Sequence, residues 1–151
     1  MRRAALGWLS RREHSRAELR RKLARKFGDS VPLEPLLDWL ESHRFLDDRR
    51  FAEIFVRGRI GRGQGALRIR QELQQRGLRE EVIEAALTDA GCDWFQLAVD
   101  IRARRFRGVP TDQKERARQL RFLQYRGFTG EQCFHALDRQ SDDLPEGVTD
   151  G

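Results

Sequence analysis

The sequence predicts an all-α protein, an elongated array of tandem three-helix repeats with about nine helices and a truncated third repeat. Three observations predict it. Apolar residues recur at steps of three and four along nearly the whole chain, the period of one helix face. Sustained period-two alternation is missing and β-branched residues are few, so strand signals are weak. The chain also matches itself at a fixed offset.

In chain order, a first helix is expected near 2–12, its apolar run cut by Arg11, Arg12 and Glu13. A second, near 15–27, opens on Ser15-x-x-Glu18, in which hydroxyl and carboxylate each satisfy an orphan N–H. It carries Leu19, Leu23 and Phe27 and stops at Gly28. Leu33, Leu36, Leu37 and Leu40 mark a third near 32–43. Asp47 caps a fourth near 48–60, with Phe51, Ile54, Phe55, Val56 and Ile60. Gly61-Arg62-Gly63-Gln64-Gly65 ends it. Ile69 and Leu73 carry a fifth near 65–76, closed by Gly77. Val82, Ile83, Ala86, Leu87 and Ala90 carry a sixth near 79–90, closed by Gly91. Asp93 caps a seventh near 93–106, with Leu97, Ala98, Ile101 and Phe106, before Gly108-Val109-Pro110. Asp112 caps an eighth near 112–126, with Leu120 and Leu123, closed by Gly127. Thr129-x-x-Gln132 opens a ninth near 129–140, with Cys133, Phe134 and Leu137. Residues 141–151 hold four acids and no Lys or Arg, so a flexible acidic tail is expected.

Leu73-Gln74-Gln75-Arg76-Gly77-Leu78 matches Leu123-Gln124-Tyr125-Arg126-Gly127-Phe128 at an offset of fifty. The same offset aligns Leu23 with Leu73 and Ile83 with Cys133. After an insertion of four residues it becomes 46 and aligns Phe51-Ala52 with Leu97-Ala98. A basic, an acidic and a mixed helix therefore repeat. The expected division is an N-terminal helix at 1–14, repeats at 15–61 and 62–108, a partial repeat at 109–140, and the tail. One such unit cannot bury its own stripe, whereas stacked neighbours bury a continuous core.

Charge follows the repeat. Residues 1–27 hold ten Lys/Arg against two Glu, 57–76 hold six Arg against one Glu, and 101–126 hold nine against two acids. The stretches between them are acidic, and the net charge is +6. A single basic run is usually a solvated helix face. Three runs about fifty residues apart form a stripe if they share a face, an electrostatic footprint for a polyanion such as nucleic acid. The candidates to carry it are Arg68, Arg70 and Arg76, then Arg102, Arg104 and Arg105, then Lys114, Arg118, Arg121 and Arg126. Lys114, Arg118 and Arg121 lie at steps of four and three, on one face largely apart from Leu120 and Leu123.

Other chemistries find little support. Two cysteines exclude a disulfide scaffold and a four-thiolate zinc site. His14, His43 and His135 are scattered, so neither a metal site nor catalysis is expected. Gly61 to Gly65 lacks the strand context and Gly-Lys-Ser/Thr ending of a phosphate loop, and reads as a hinge or a close backbone approach. Asp47-Asp48 reads as a helix cap with a salt bridge to Arg49 or Arg50. Gln119 stands where the other copies carry Leu or Ile, which weakens the third repeat's packing. Trp39 and Cys133 are expected in the core, while Trp8 and Trp94 fit either packing or base stacking. No run is long enough to span a membrane, and no signal peptide is apparent.

Four segments in order resemble the RecX family of recombinase regulators: Leu9, Arg12, Ser15, Glu18-Leu19 and Leu23; Phe45-Leu46-Asp47-Asp48-Arg49-Arg50-Phe51-Ala52; Gly65 to Leu73 with Arg76-Gly77-Leu78; and Phe122-Leu123 with Arg126-Gly127-Phe128. The resemblance spans residues 4 to about 137. It implies tandem three-helix repeats in a cytoplasmic protein that binds the RecA–DNA filament. Family members lie in the filament's groove and restrain its growth, ATP hydrolysis, strand exchange and repressor cleavage, in DNA repair, recombination and the SOS response. It implies no catalysis, no cofactor and a monomer, with weaker, salt-sensitive binding to single- and double-stranded DNA. A generic helical DNA-binding protein and a protein-only helical scaffold are the alternatives.

Overall fold

The computed structural model describes residues 1–139, and the acidic tail expected at 141–151 lies outside them. Among the described residues there are nine α-helices and no strand. They are α1 (Arg2–Arg11), α2 (Arg16–Phe27), α3 (Glu34–Ser42), α4 (Asp48–Gly61), α5 (Ala66–Gln75), α6 (Glu80–Asp89), α7 (Trp94–Arg105), α8 (Gln113–Tyr125) and α9 (Gly130–Leu137). The expected boundaries hold to within three residues. Two compact units share the chain: Met1–Val56 with Glu72–Asp89, and Arg57–Gln71 with the residues from Ala90 onward.

In the first unit, Ala5, Leu19, Leu23, Leu33, Leu37, Leu40 and Leu46 form a buried cluster. Trp8 and Trp39 pack against it and are only partly buried. The capping box is formed in both directions between Ser15 and Glu18. Asp47 caps α4 by accepting from the Arg50 N–H at 3.1 Å. The salt bridge expected beside it goes elsewhere: Arg50 pairs with Glu13 at 2.8 Å, and Asp48 accepts from the Arg16 N–H at 2.8 Å, stabilising the start of α2. Burial pushes the Asp48 carboxyl up.

His14, which the sequence left as one of three scattered histidines, is buried. Its Nδ1 lies 3.1 Å from the Arg12 carbonyl and its Nε2 3.4 Å from Lys22 Nζ. These partners suit a neutral ring that donates from Nδ1 and accepts at Nε2. Burial, then the Arg12 cation, hold it below its ordinary 6.5. A base lowered in the folded state binds fewer protons folded than unfolded. Stability is therefore complete above 6.5 and is lost as pH falls below it. Urea titrations at stepped pH should show this decline setting in as pH falls through 6.5, and His14→Gln should flatten it.

In the second unit, α7, α8 and α9 close on Ala98, Val99, Ile101, Leu123, Phe128, Cys133, Ala136 and Leu137. Asp93, Asp112 and Thr129 cap the three helices through their side chains. The Cys133 thiol is fully buried, which pushes it up to about 11. Gln119 is buried too. Its amide donates to the Gly108 carbonyl and to Glu115, both at 3.0 Å, while its Oε1 finds no partner. A polar side chain thus occupies the apolar position by binding the loop before α8.

The repeated Arg-Gly turn has a tertiary role that the sequence did not disclose. Ser15 Oγ, at the start of α2, donates to the Arg76 carbonyl at 2.7 Å. Fifty residues on, at the start of α5, the Gly65 N–H donates to the Arg126 carbonyl at 2.7 Å, and the Leu67 N–H to the Gly127 carbonyl at 3.0 Å. α2 and α5 therefore each receive at the N-terminus the turn that follows the next basic helix. At α5 this satisfies backbone donors of the helix start that would otherwise be orphaned, whereas at α2 the donor is the capping hydroxyl of Ser15. Gly77 (φ +82°) and Gly127 (φ +97°) are needed twice over, for their backbone angle and for the room they leave. Gly65 is the other half of the second contact: a Cβ there would lie 2.4 Å from the Gly127 oxygen. The Gly-rich segment is a close backbone approach.

Candidate nucleic-acid interface

Of the cations expected to form the stripe, the exposed ones lie in the second unit. On α8, Leu123 faces the core, and Lys114, Arg118 and Arg121 are exposed on another face. Arg118 meets Glu115 at 3.1 Å, an exposed pair within one helix turn that contributes little. Among the described residues, Lys114 and Arg121 make no hydrogen bond or ion pair. Arg104 and Arg105, at the end of α7, are exposed. With Arg62, Arg126 and Phe122 they line a cleft of about 240 Å³ that no carboxylate enters. Arg126 donates to the Arg62 carbonyl at 2.8 Å, and its guanidinium lies 5.1 Å from the Phe122 ring centroid. Arg105 stacks on Phe106 at 5.1 Å and on Phe122 at 5.7 Å. Aromatic faces thus hold two guanidinium groups in place, with Arg126 Nη1 committed to the Arg62 carbonyl.

Not every expected residue joins this surface. Arg102 is a correction: it is fully buried against α9 and offers nothing to solvent. Its Nη2 donates to the Arg139 carbonyl at 3.0 Å, whereas Nε and Nη1 have no partner. Burial lowers its pKa. Arg76 belongs to the first unit, where it approaches Glu18 at 3.5 Å and lies over Phe55. Arg68 and Arg70 are half-buried in the second unit. Arg68 donates to the Tyr125 carbonyl at 3.2 Å.

Two cations of the first basic block are neutralised from within. Arg16 pairs with Glu34 at 2.6 Å, Glu41 at 2.7 Å and Asp38 at 2.9 Å, and Arg20 also pairs with Glu34. Its hydrogen bond holds the Glu34 carboxyl below the usual range. The alternation of basic and acidic helices is thus, in the first unit, an intramolecular ion network. Arg62, Phe122 and Tyr125 were missed. Arg62 sat in a segment read as a hinge or a close backbone approach, and Tyr125 lay in the repeated motif opposite Gln75.

Family comparison settles the lineage. Residues 2–31, 47–87 and 92–137 match the first, second and third three-helix domains of RecX. The chain belongs to the RecX family. The regulatory protein RecX of Halorhodospira halophila is 49% identical over 145 residues, covering 95% of this chain and 90% of that protein. That of Vibrio parahaemolyticus is 43% identical over 141 residues, covering 93% and 91%. A crystal structure of RecX from Lactobacillus salivarius shares the fold with a TM-score of 0.78 at 20% identity, covering 95% of each chain. A second crystal structure, of regulatory protein RecX, gives 0.75 at 24% identity, covering 91% of this chain and 72% of that one. These RecX relatives are named as regulatory proteins and not as enzymes. In the family's frame the second and third domains begin at α4 and α7, one helix before the basic helix. Each Arg-Gly turn then joins the second and third helices of its domain. Among the described residues no helix is long and apolar enough to cross a membrane.

Proposed function

We propose that this RecX-family chain regulates the RecA recombinase, binding the RecA–DNA filament in the cytoplasm and mainly restraining its growth, ATP hydrolysis, strand exchange and repressor cleavage. Family membership supports the RecA partnership. One observation supports phosphate contact: among the described residues Arg104, Arg105, Lys114 and Arg121 have no carboxylate partner, and Arg104 and Arg105 line an arginine-rich cleft. Unneutralised guanidinium groups on a folded scaffold attract phosphates and release their counterions. The contact set is Arg104, Arg105, Lys114, Arg118, Arg121 and Arg126, with Arg68 and Arg70 beside it. Weaker binding to bare single- and double-stranded DNA follows from the same surface, and the chain acts as a monomer without catalysis of its own.

Affinity for bare DNA should fall steeply with salt. The expected slope is about −0.7 to −0.9 per phosphate neutralised, for roughly three to six phosphates. Anisotropy titrations of a labelled oligonucleotide across a salt series measure it. A flat response contradicts the phosphate role and leaves a protein-only contact with RecA as the reading.

A further inference from the structure

Tyr125 is the chain's single tyrosine, and at 74% exposed it is the most exposed large hydrophobic residue in the described chain. It ends α8, on the stripe that carries Lys114, Arg118 and Arg121. At 100° per residue the four positions fall within about 60° of one another, over about 16 Å of helix. All four are exposed. One face of the ring is already held: the Arg68 guanidinium lies 4.9 Å from its centroid and bonds the Tyr125 carbonyl. The other face is open to solvent. A single exposed aromatic is ordinary; this one is set apart by the cation stacked on it and by the cations along its stripe. A flat π ligand that carries negative charge suits both properties. Paired bases within a duplex keep their faces stacked on one another. An unpaired base does not, and exposed aromatics beside cations bind such bases by stacking.

From this arrangement we propose that Tyr125 and Arg68 form a stacking platform for one unpaired nucleobase of a single strand, whose phosphates run along Arg121, Arg118 and Lys114. The proposal rests on the nucleic-acid reading above and adds to it the strand type and the residue that reads it. An exposed aromatic could instead insert into a protein partner, and the test separates the two.

Two labelled strands of equal length and charge serve as probes: oligo(dT), and an oligomer of abasic tetrahydrofuran phosphates. The full chain is titrated against each at fixed salt. Wild type should prefer the base-bearing strand by about tenfold. Tyr125→Ala should lose that preference while its affinity for the abasic strand stays unchanged. Tyr125→Phe keeps the ring and should keep the preference. Circular dichroism should show all variants folded, as expected for so exposed a side chain. A Tyr125→Ala protein that retains the preference overturns the proposal, as does one that weakens on both strands alike. Equal wild-type binding to both strands also overturns it while sparing the phosphate reading. Wild-type binding to neither strand overturns both. Loss of RecA binding with an unchanged preference assigns Tyr125 to a protein contact and overturns the platform.

Discussion

Gly127→Ala should destabilise the protein by about 3–5 kcal/mol, from backbone strain and steric overlap together. The residue sits at φ +97°, where a side chain is strained whatever the space. A Cβ there would lie 2.4 Å from Arg68 Cβ and 2.7 Å from the Arg68 backbone nitrogen. The start of α5 is not a flexible side-chain end, so the turn must back away. That lengthens the bonds from Gly65 and Leu67 to the Arg126 and Gly127 carbonyls. Gly91→Ala is the control, with φ +62° and nothing within 4 Å, and should cost only about 1 kcal/mol. The equivalent clash at Gly77 is with Ala17 Cβ at 2.4 Å, so Ala17→Gly should rescue part of the loss in Gly77→Ala. Urea unfolding followed by circular dichroism measures all of these. Equal costs at Gly127 and Gly91 would contradict the junction.

Reversing Lys114, Arg118 and Arg121 to glutamate together should leave the melting temperature within a few degrees, because exposed substitutions usually change stability by under about 0.5 kcal/mol each. The same variant should bind the RecA–DNA filament at least about a hundredfold more weakly, and its salt slope should shrink by about three contacts. Anisotropy of labelled filament, across salt, gives both numbers.

The fold was legible because local and global signals agree. Asp93, Asp112 and the boxes at Ser15 and Thr129 place helix starts by chemistry that acts within one turn. The fifty-residue offset gave the repeat. It could not give the contact between repeats, because that contact runs through the Arg76 and Arg126 carbonyls, which every residue type possesses. The candidate site was legible in composition and less so in geometry. Counting cations placed Arg102 beside Arg104 and Arg105. Helix spacing places it four residues after buried Ala98, on the core face, and the spacing decided its fate. The basic first block looked equivalent to the third, but Glu34, Asp38 and Glu41 on α3 neutralise its Arg16. Such pairing between helices depends on their packing, which charge counts omit.

The central claim is that cations of α8 bring this RecX-family chain onto the RecA filament. RecA ATP hydrolysis on single-stranded DNA, measured with added wild type and with the Lys114, Arg118, Arg121 triple reversal, tests it most directly. Wild type should suppress hydrolysis, and the folded triple reversal should fail to do so at concentrations where wild type saturates. A folded triple reversal that suppresses hydrolysis at the wild-type concentration would contradict the claim and move inhibition to other surfaces of the chain.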